Sequence, residues 1–400
     1  MRVLVDGPAR RPVLLLALGT FALGTDAFVI SGVLPAVGAD LGTSLATTGL
    51  LITVFSAVYA VAAPVLAVAT GSVCRRRLLL VALAAFTGAN VLAAVAPNYG
   101  VLVVARVLAA TAAGMYTPTA STTAALIAEP AQRGRALAMV TGGITVANAA
   151  GVPLGTLVSQ VLHWRMTFVL VAVLGVVAFL GLSHALKSVP SPGVPSLRDR
   201  VRTIGLPGVS TMLLTTAIAV CGTFTLYTYL SWFAARAAGV SGGLVTLAYL
   251  GFGVAAVAAT LCAGVLADRF PPRRILFVSV LGQLGGIACV LGLARFGAAA
   301  LVGSVALWSF LSWLFTPAQQ QRLLAAAGRE GPVALSLNAS AIYLGQAVAG
   351  VLGGVALAGG PLVLGVAAGG CELLAVLALC AGRIRVPKAA DPLPDQLSAR

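Results

Sequence analysis

Three ionisable residues of this sequence stand where charge is costly. Asp26, Arg106 and Glu372 each lie well inside a long apolar run. Ionisable side chains in hydrocarbon are rare, pair with one another or face a wet cavity, and mark ion and proton pathways. An aspartate that binds and releases a proton can carry it through such a barrier, and an arginine beside it supplies the counter-charge. Burial and a neighbouring arginine act in opposite senses on a carboxyl group's hold on its proton, so Asp26 can change protonation as its surroundings change. Counted from the outer ends of their runs, Asp26 lies about 13 Å deep and Arg106 about 8 Å, at a rise of about 1.5 Å per residue. An arginine side chain spans that difference. Asp26 and Arg106 are therefore the candidates for proton coupling. A fixed ion pair, or an Asp26 that only lines a wet cavity, are the plainer alternatives. Glu372, near the middle of the last run, admits three readings: a neutral acid facing lipid, an acid partnered by the preceding run, or a displaced span.

Other catalytic residue types form no constellation. Cys221, Cys262, Cys289, Cys371 and Cys380 fall inside apolar runs, and Cys74 abuts Arg75; no pair has metal-ligand spacing. His163 and His184 have no partners with which to make a site. No His pair, Cys–His set, carboxylate pair or Ser–His–Asp arrangement is visible, which disfavours an integral-membrane enzyme. Neither metal nor cofactor is expected. GFGVAA at 251–256 matches a dinucleotide loop only superficially, because no strand precedes it. A channel is disfavoured too, since there is no filter-like repeat or ring of charges.

Composition dictates the elements that hold these residues. Of the 400 residues, 60% are hydrophobic and 9% charged, against about 25% charged in soluble domains, so most of the surface must face lipid. Apolar runs long enough to cross a bilayer predict twelve helices, over 13–35, 48–70, 78–96, 101–126, 136–159, 166–186, 207–231, 243–266, 275–294, 299–321, 333–357 and 362–382. The first is read as a retained helix, because it is too long for a signal peptide and has no clear cleavage site. Alternate connections hold Arg2, Arg10, Arg11; Arg75, Arg76, Arg77; Arg133, Arg135; Lys187, Arg198, Arg200, Arg202; Arg269, Arg273, Arg274; Arg322, Arg329; and Arg383, Arg385, Lys388, Arg400. The opposite connections hold only Arg165, Arg236 and Arg295. This asymmetry predicts that both termini are cytoplasmic. It also accounts for a net charge of +15 without nucleic acid, since the basic residues form no stripe interleaved with exposed aromatics.

The Pro-, Ser- and Arg-containing stretch 187–206 divides the spans six and six. The chain thus reads as a first half (1–186), a cytoplasmic linker (187–206), a second half (207–382) and a cytoplasmic tail (383–400). The halves repeat at a nearly fixed offset. Arg75-Arg76 matches Arg273-Arg274, Thr117-Pro118 matches Thr316-Pro317, and Gly151 with Gly155 matches Gly350 with Gly354. Both glycine pairs fit close helix packing. Two parallel six-helix halves imply a central cavity open alternately to either side.

Several strings resemble the major facilitator superfamily over nearly the whole chain. GVLADRFPPRR at 264–274 is similar to that family's cytoplasmic signature. It implies gating charges at Asp268, Arg269, Arg273 and Arg274, with Gly264 allowing two helices to approach. The first-half equivalent, ATGSVCRRR at 69–77, keeps Arg75 and Arg76 but has Gly71 roughly where the acid belongs. LGTDAFVISGVLP at 23–35, ARVLAATAAG at 105–114, ANAAGVPLGT at 147–156, HWRMTF at 163–168 and LNASAIYLGQ at 337–346 resemble the twelve-helix drug/proton antiporter branch. The nearest likeness within it is to chloramphenicol-resistance exporters, followed by sugar-efflux carriers. The resemblance implies an all-α integral membrane protein of the cytoplasmic membrane that exchanges protons for a small, largely neutral antibiotic or toxic compound. A sugar or metabolite efflux carrier is the alternative. It further implies a monomer, and a cavity lined by Tyr59, Tyr116, Asn148, Tyr227, Asn338, Tyr343 and Gln346. Trp164, Trp232, Trp308 and Trp313 read as interface anchors or packing.

Overall fold

The computed structural model describes residues 5, 7–191 and 196–381. Arg2, the linker residues 192–195 and the tail from 382, with Arg383, Arg385, Lys388 and Arg400, lie outside the described residues. Among the described residues there is no strand. Backbone polar groups in hydrocarbon must be satisfied within their own segment, which leaves the helix as the form for these runs. Ten continuous helical segments are long and apolar enough to cross a membrane, and the last, Ala298–Ala381, contains 84 residues. That segment is three spans. Gly328 (φ +52°) and Gly360 (φ +82°) adopt left-handed backbone that costs glycine little, and the chain turns at each.

The twelve spans are α1 (Arg10–Asp40), α2 (Leu45–Ala69), α3 (Arg75–Ala94), α4 (Tyr99–Ile127), α5 (Arg133–Val146, continuing through Val152–Val161) and α6 (Trp164–Ala185) in the first half. The second half has α7 (Val209–Thr228, continuing as Leu230–Ala238), α8 (Gly243–Arg269), α9 (Pro272–Leu293), α10 (Ala298–Trp313 with Phe315–Ala327), α11 (Gly331–Ala356) and α12 (Gly360–Ala381). Each expected span falls on one of these helices. Several run about a turn further, because basic residues such as Arg10, Arg11 and Arg75–Arg77 supply first turns outside the apolar run. The side chains of Ser44 and Asn98 cap α2 and α4 by accepting from the N–H groups of Thr47 and Val101, as cap residues do.

The most enclosed spans are α1 and α7, with 67% and 61% of their apolar windows buried. Each half is therefore built round its own first helix. The halves meet along two seams, α2 against α11 and α5 against α8. Large apolar side chains such as Val61, Val173, Leu261 and Val355 are exposed, a surface suited to lipid.

The described residues of the linker are more ordered than its composition implies. Leu197–Ile204 form a short helix begun by a capping box, in which Ser196 Oγ accepts from the Asp199 amide and Asp199 accepts from the Ser196 amide. The Ser-x-x-Asp spacing encodes that start. Arg200 Nη1 donates to Ser336 Oγ at 2.5 Å, tying this helix to α11. The repeated Thr-Pro pairs behave differently in the two halves. Pro118 sits inside a continuous α4, whereas α10 breaks at Leu314, three residues before Pro317. A proline lacks the N–H and crowds the carbonyl four residues back, which places the second break at the end of Trp313.

Candidate functional site

Asp26 lies near the middle of α1, and the residues around it are divided among three neighbours. Thr25 faces α5, where Gly151 has no room for a side chain. Phe28 stacks on Phe224 of α7, ring centroids 5.8 Å apart. Asp26 itself faces α4. Arg106 Nη1 donates to Asp26 Oδ1 at 2.7 Å, and Nη2 lies 3.4 Å from the Asp26 carbonyl oxygen. Both side chains are essentially excluded from solvent, at 0% and 1% exposure, so this is a fully buried ion pair. The Phe55 ring lies under the guanidinium, 4.3 Å from its carbon, in reach of a cation–π attraction. Asp26 Oδ2 and Arg106 Nε have no hydrogen-bond partner. The pair is charge-matched but incompletely hydrogen-bonded.

This pair adjoins the α2–α11 seam. Along α2, Gly49, Thr53, Ser56 and Tyr59 recur at three- to four-residue spacing on one face. Along α11 the answering face is Tyr343, Gln346, Gly350 and Gly354. Tyr59 stacks on Tyr343 with centroids 3.6 Å apart, Ser56 Oγ donates to Gln346 Oε1 at 3.4 Å, and Thr53 Oγ1 donates to the Ala347 carbonyl at 2.9 Å. A side chain at Gly350 would run into Thr53 and the Gly49 carbonyl. Tyr229, at the break in α7, drives its ring into the same seam against Gly49 and Gly353 and donates to the Gly350 carbonyl at 2.7 Å. Tyr343 also lies within electrostatic reach of Asp26.

The α5–α8 seam is built round a break in helix geometry. Ala147–Gly151 form a π-turn, the widened turn often found at functional sites, just before Pro153. The Asn148 carbonyl oxygen and Ala149 crowd Gly253 of α8. Asn148 Oδ1 accepts from Tyr227 Oη at 3.3 Å. Gln160 Nε2 donates to the Gly242 carbonyl and to Thr246 Oγ1, and Ser231 Oγ donates to the Ser31 carbonyl at 3.4 Å. Among the described residues, these hydrogen bonds between halves run from mid-span to the end bearing the α1–α2 turn.

The seven cavity candidates thus occupy separate places rather than one wall. Tyr59, Tyr343 and Gln346 gather beside the Asp26–Arg106 pair. Asn148 and Tyr227 meet at the other seam. Tyr116 stays inside the first half, its hydroxyl donating to the Leu16 carbonyl at 3.1 Å. Asn338 stays inside the second, accepting from Thr216 at 2.8 Å. The gating candidates are not assembled either. Asp268, Arg269, Arg273 and Arg274 are exposed, Asp268 enters none of the three ion pairs among the described residues, and Gly264 faces open space instead of a helix. This end of the halves lies beyond the seam contacts, and the motif's contacts stay within its own half: Arg273 Nη2 donates to the Leu379 carbonyl of α12 at 3.4 Å and its guanidinium lies over Phe277. In the first half the Arg75 amide donates to the Val189 carbonyl, anchoring the linker, and Arg76 Nη2 donates to the Ser183 carbonyl of α6 at 2.7 Å. Glu372 is fully buried on α12, so it does not face lipid, and the partner shown for it is Thr223 of α7.

Sequence reading passes over Phe55, Thr53, Ser56, Phe224 and Tyr229. The spacing of Thr53 and Ser56 on one face of α2 is visible in the chain, but aromatic and hydroxyl residues are common in such spans and carry no mark of the partner they meet.

Known proteins carry the same architecture. The chain is 34% identical over 345 residues to the "Uncharacterized MFS-type transporter YbcL" of Bacillus subtilis, covering 86% of this chain and 88% of that one. It is 34% identical over 281 residues to a chloramphenicol resistance protein of Streptomyces lividans, 68% of this chain and 71% of that one. A probable sugar efflux transporter of Mannheimia succiniciproducens is 28% identical over 86% of this chain and 84% of its own. In fold, a solved peptide transporter, POT, superposes with a TM-score of 0.75 at 12% identity, over 92% of this chain and 93% of that one. The Major Facilitator Superfamily profile matches residues 16–210 and 212–398, two consecutive stretches that correspond to the two six-helix halves. That match across the chain, the 34% identity to a Bacillus subtilis relative and the twelve spans in two halves make this chain a multi-pass membrane transporter of the Major Facilitator Superfamily.

Proposed function

We propose that the protein exports a small, largely neutral toxic compound of the phenicol kind across the cytoplasmic membrane in exchange for protons. The observation that carries this reading is the Asp26–Arg106 pair, buried at 2.7 Å beside the seam the halves must open. A buried ion pair that loses one charge becomes a buried unpaired ion, which is strongly unfavourable. Protonation of Asp26 thus forces Arg106 to find other partners; the Phe55 ring lies against the guanidinium, and Tyr343, stacked on Tyr59, is near Asp26. The α2–α11 contacts respond to the proton by this route. With both termini in the cytoplasm, as the basic connections indicate, the contacts from mid-span outward close the external side and leave the cytoplasmic side open. A compound enters from the cytoplasm, the halves rock, and a proton taken up by Asp26 from outside resets the cycle. Asp268, Arg269, Arg273 and Arg274, with Arg75 and Arg76, serve as gating charges that meet when the cytoplasmic end closes. The aromatic surfaces of Tyr59, Tyr343 and Tyr227, with the amides of Gln346 and Asn148, suit an aromatic, partly polar compound.

A sugar or metabolite efflux carrier is the second reading, favoured by the likeness to the Mannheimia transporter. The test is drug susceptibility of a sensitive host expressing the chain, with and without a protonophore. Protonophore-sensitive protection against phenicols is the expected result. No protection against any drug, with altered sugar export, overturns the first reading in favour of the second.

A further inference from the structure

The second half holds a buried acid that the coupling scheme does not use. Glu372 lies near the middle of α12, where Gly222 of α7 has no side chain; one added there would strike the Glu372 carboxyl group and the Ala368 carbonyl. Beside it, side chains from three helices form a chain. Thr223 Oγ1 of α7 lies 2.6 Å from Gln283 Oε1 of α9 and 3.4 Å from Glu372 Oε1. Gln283 Nε2 donates to Ser279 Oγ at 3.2 Å, and Ser279 Oγ donates to the Leu311 carbonyl of α10 at 2.6 Å. Thr223, Gln283, Ser279 and Glu372 are all buried.

Counting protons along this chain fixes its direction. A carbonyl oxygen only accepts, so the single hydroxyl proton of Ser279 goes to Leu311. Ser279 Oγ can then only accept from Gln283, which sets the amide with Nε2 toward Ser279 and Oε1 toward Thr223. Gln283 Oε1 also only accepts, so the 2.6 Å contact uses the single hydroxyl proton of Thr223. From the Thr223 hydroxyl, what remains for Glu372 Oε1 is a lone pair. An ionised carboxylate would sit there lone pair to lone pair. Its other oxygen, Oε2, has no partner at all, and a buried carboxylate in that state is far costlier than a neutral acid. No Lys, Arg or His among the described residues forms an ion pair with Glu372. The titratable groups beside it are two thiols, Cys371 on its own helix and Cys221 on α7, whose sulfurs lie 3.8 Å apart.

We propose that Glu372 is a second proton-binding site, separate from Asp26, which keeps its proton as the donor to Thr223 and so positions α7 from behind. The front of the same stretch of α7 carries Phe224 and Tyr227, which meet Phe28 and Asn148 of the first half. Glu372 is a positioning residue acting through Thr223. The inference stands whatever the chain transports.

Infrared difference spectroscopy of the purified full chain tests it. Subtracting the Glu372→Gln spectrum from that of the wild type at neutral pH should leave the C=O stretch of a protonated carboxyl group. That band should move to higher frequency in Thr223→Val, where the acid loses its acceptor. A difference spectrum containing only ionised carboxylate bands overturns the proposal, as does a protonated band that ignores Thr223→Val. Thermal unfolding gives a second reading that needs no substrate. Glu372→Gln, which still donates, should keep the wild-type midpoint, and Glu372→Leu should lower it. Equal loss in both variants overturns the donor role.

Discussion

The two halves each bury one acid at mid-membrane depth and satisfy it by opposite means. In the first half Asp26 meets a full positive charge 2.7 Å away. In the second, Glu372 meets the Thr223 hydroxyl, which is itself bonded to the Gln283 amide, and pairs with no cation among the described residues. A carboxylate opposite a guanidinium gains or loses a large interaction when its proton count changes, and is suited to switching. An acid at the head of a neutral chain gains from holding its proton, and is suited to staying put. The placement agrees. Asp26 adjoins the α2–α11 seam, which the proposed cycle opens, whereas Glu372 lies within one half, against Thr223 of α7. The same division appears in the repeated glycines. Gly151 and Gly155 close α5 onto α1 within the first half, while Gly350 and Gly354 close α11 onto α2 across the halves.

The hardest blow to this contrast would fall on the ion pair. Arg106→Ala leaves Asp26 buried and unpaired and should destabilise the protein by about 3–5 kcal/mol, read as a lowered unfolding temperature in detergent. Asp26→Asn with Arg106→Gln removes both charges and should recover much of that stability while proton-coupled export stays lost. If the double variant still exports with protonophore sensitivity, the pair is structural and the contrast collapses.

Matched amide substitutions sharpen the comparison. Asp26→Asn should abolish protonophore-sensitive export with the protein still in the membrane, whereas Glu372→Gln should leave export intact. Similar export defects in both would mean that both acids cycle protons. A smaller effect is expected at the seam. Gly350→Ala forces a methyl group against Thr53 and should cost about 1–3 kcal/mol, as overpacking does, favouring the arrangement with α2 and α11 apart. Cysteine cross-linking between positions 56 and 346 should report fewer closed molecules.

The smallest effect concerns the loops joining the second and third helices of each half. The first-half loop places Cys74 at the start of α3, where the second half has Pro272 at the start of α9. The Ser188 hydroxyl beside Cys74, then the Arg77 amide, lower its thiol to about 7 from an ordinary 9.0. Alkylation of the half-buried Cys74 should therefore rise with pH about a midpoint near 7, measured against Cys74→Ser. A midpoint near 9 would mean that the linker does not rest against this loop.

The helices were legible because each apolar run is its own signal. Chain length, bilayer thickness and the need to satisfy the backbone leave one solution, and the basic connections mark where each helix ends. The capping box at Ser196 was equally local, though Pro and Ser around it read as irregular linker. Asp26, Arg106 and Glu372 were also visible, because charge stands out in hydrocarbon. Their partners were not. Nothing in the chain says that Glu372 meets Thr223 rather than α11 or lipid, since neighbouring helices are apolar nearly all round and give no facing direction. The stripes Gly49–Tyr59 and Tyr343–Gly354 could be read as faces, but which face meets which depends on how two halves dock. Sequence alone determined that twelve helices cross in two related halves and that three charges are buried among them. Only the tertiary structure decided which acid received an arginine and which a hydroxyl, because helix formation is settled within a span and partner choice between spans.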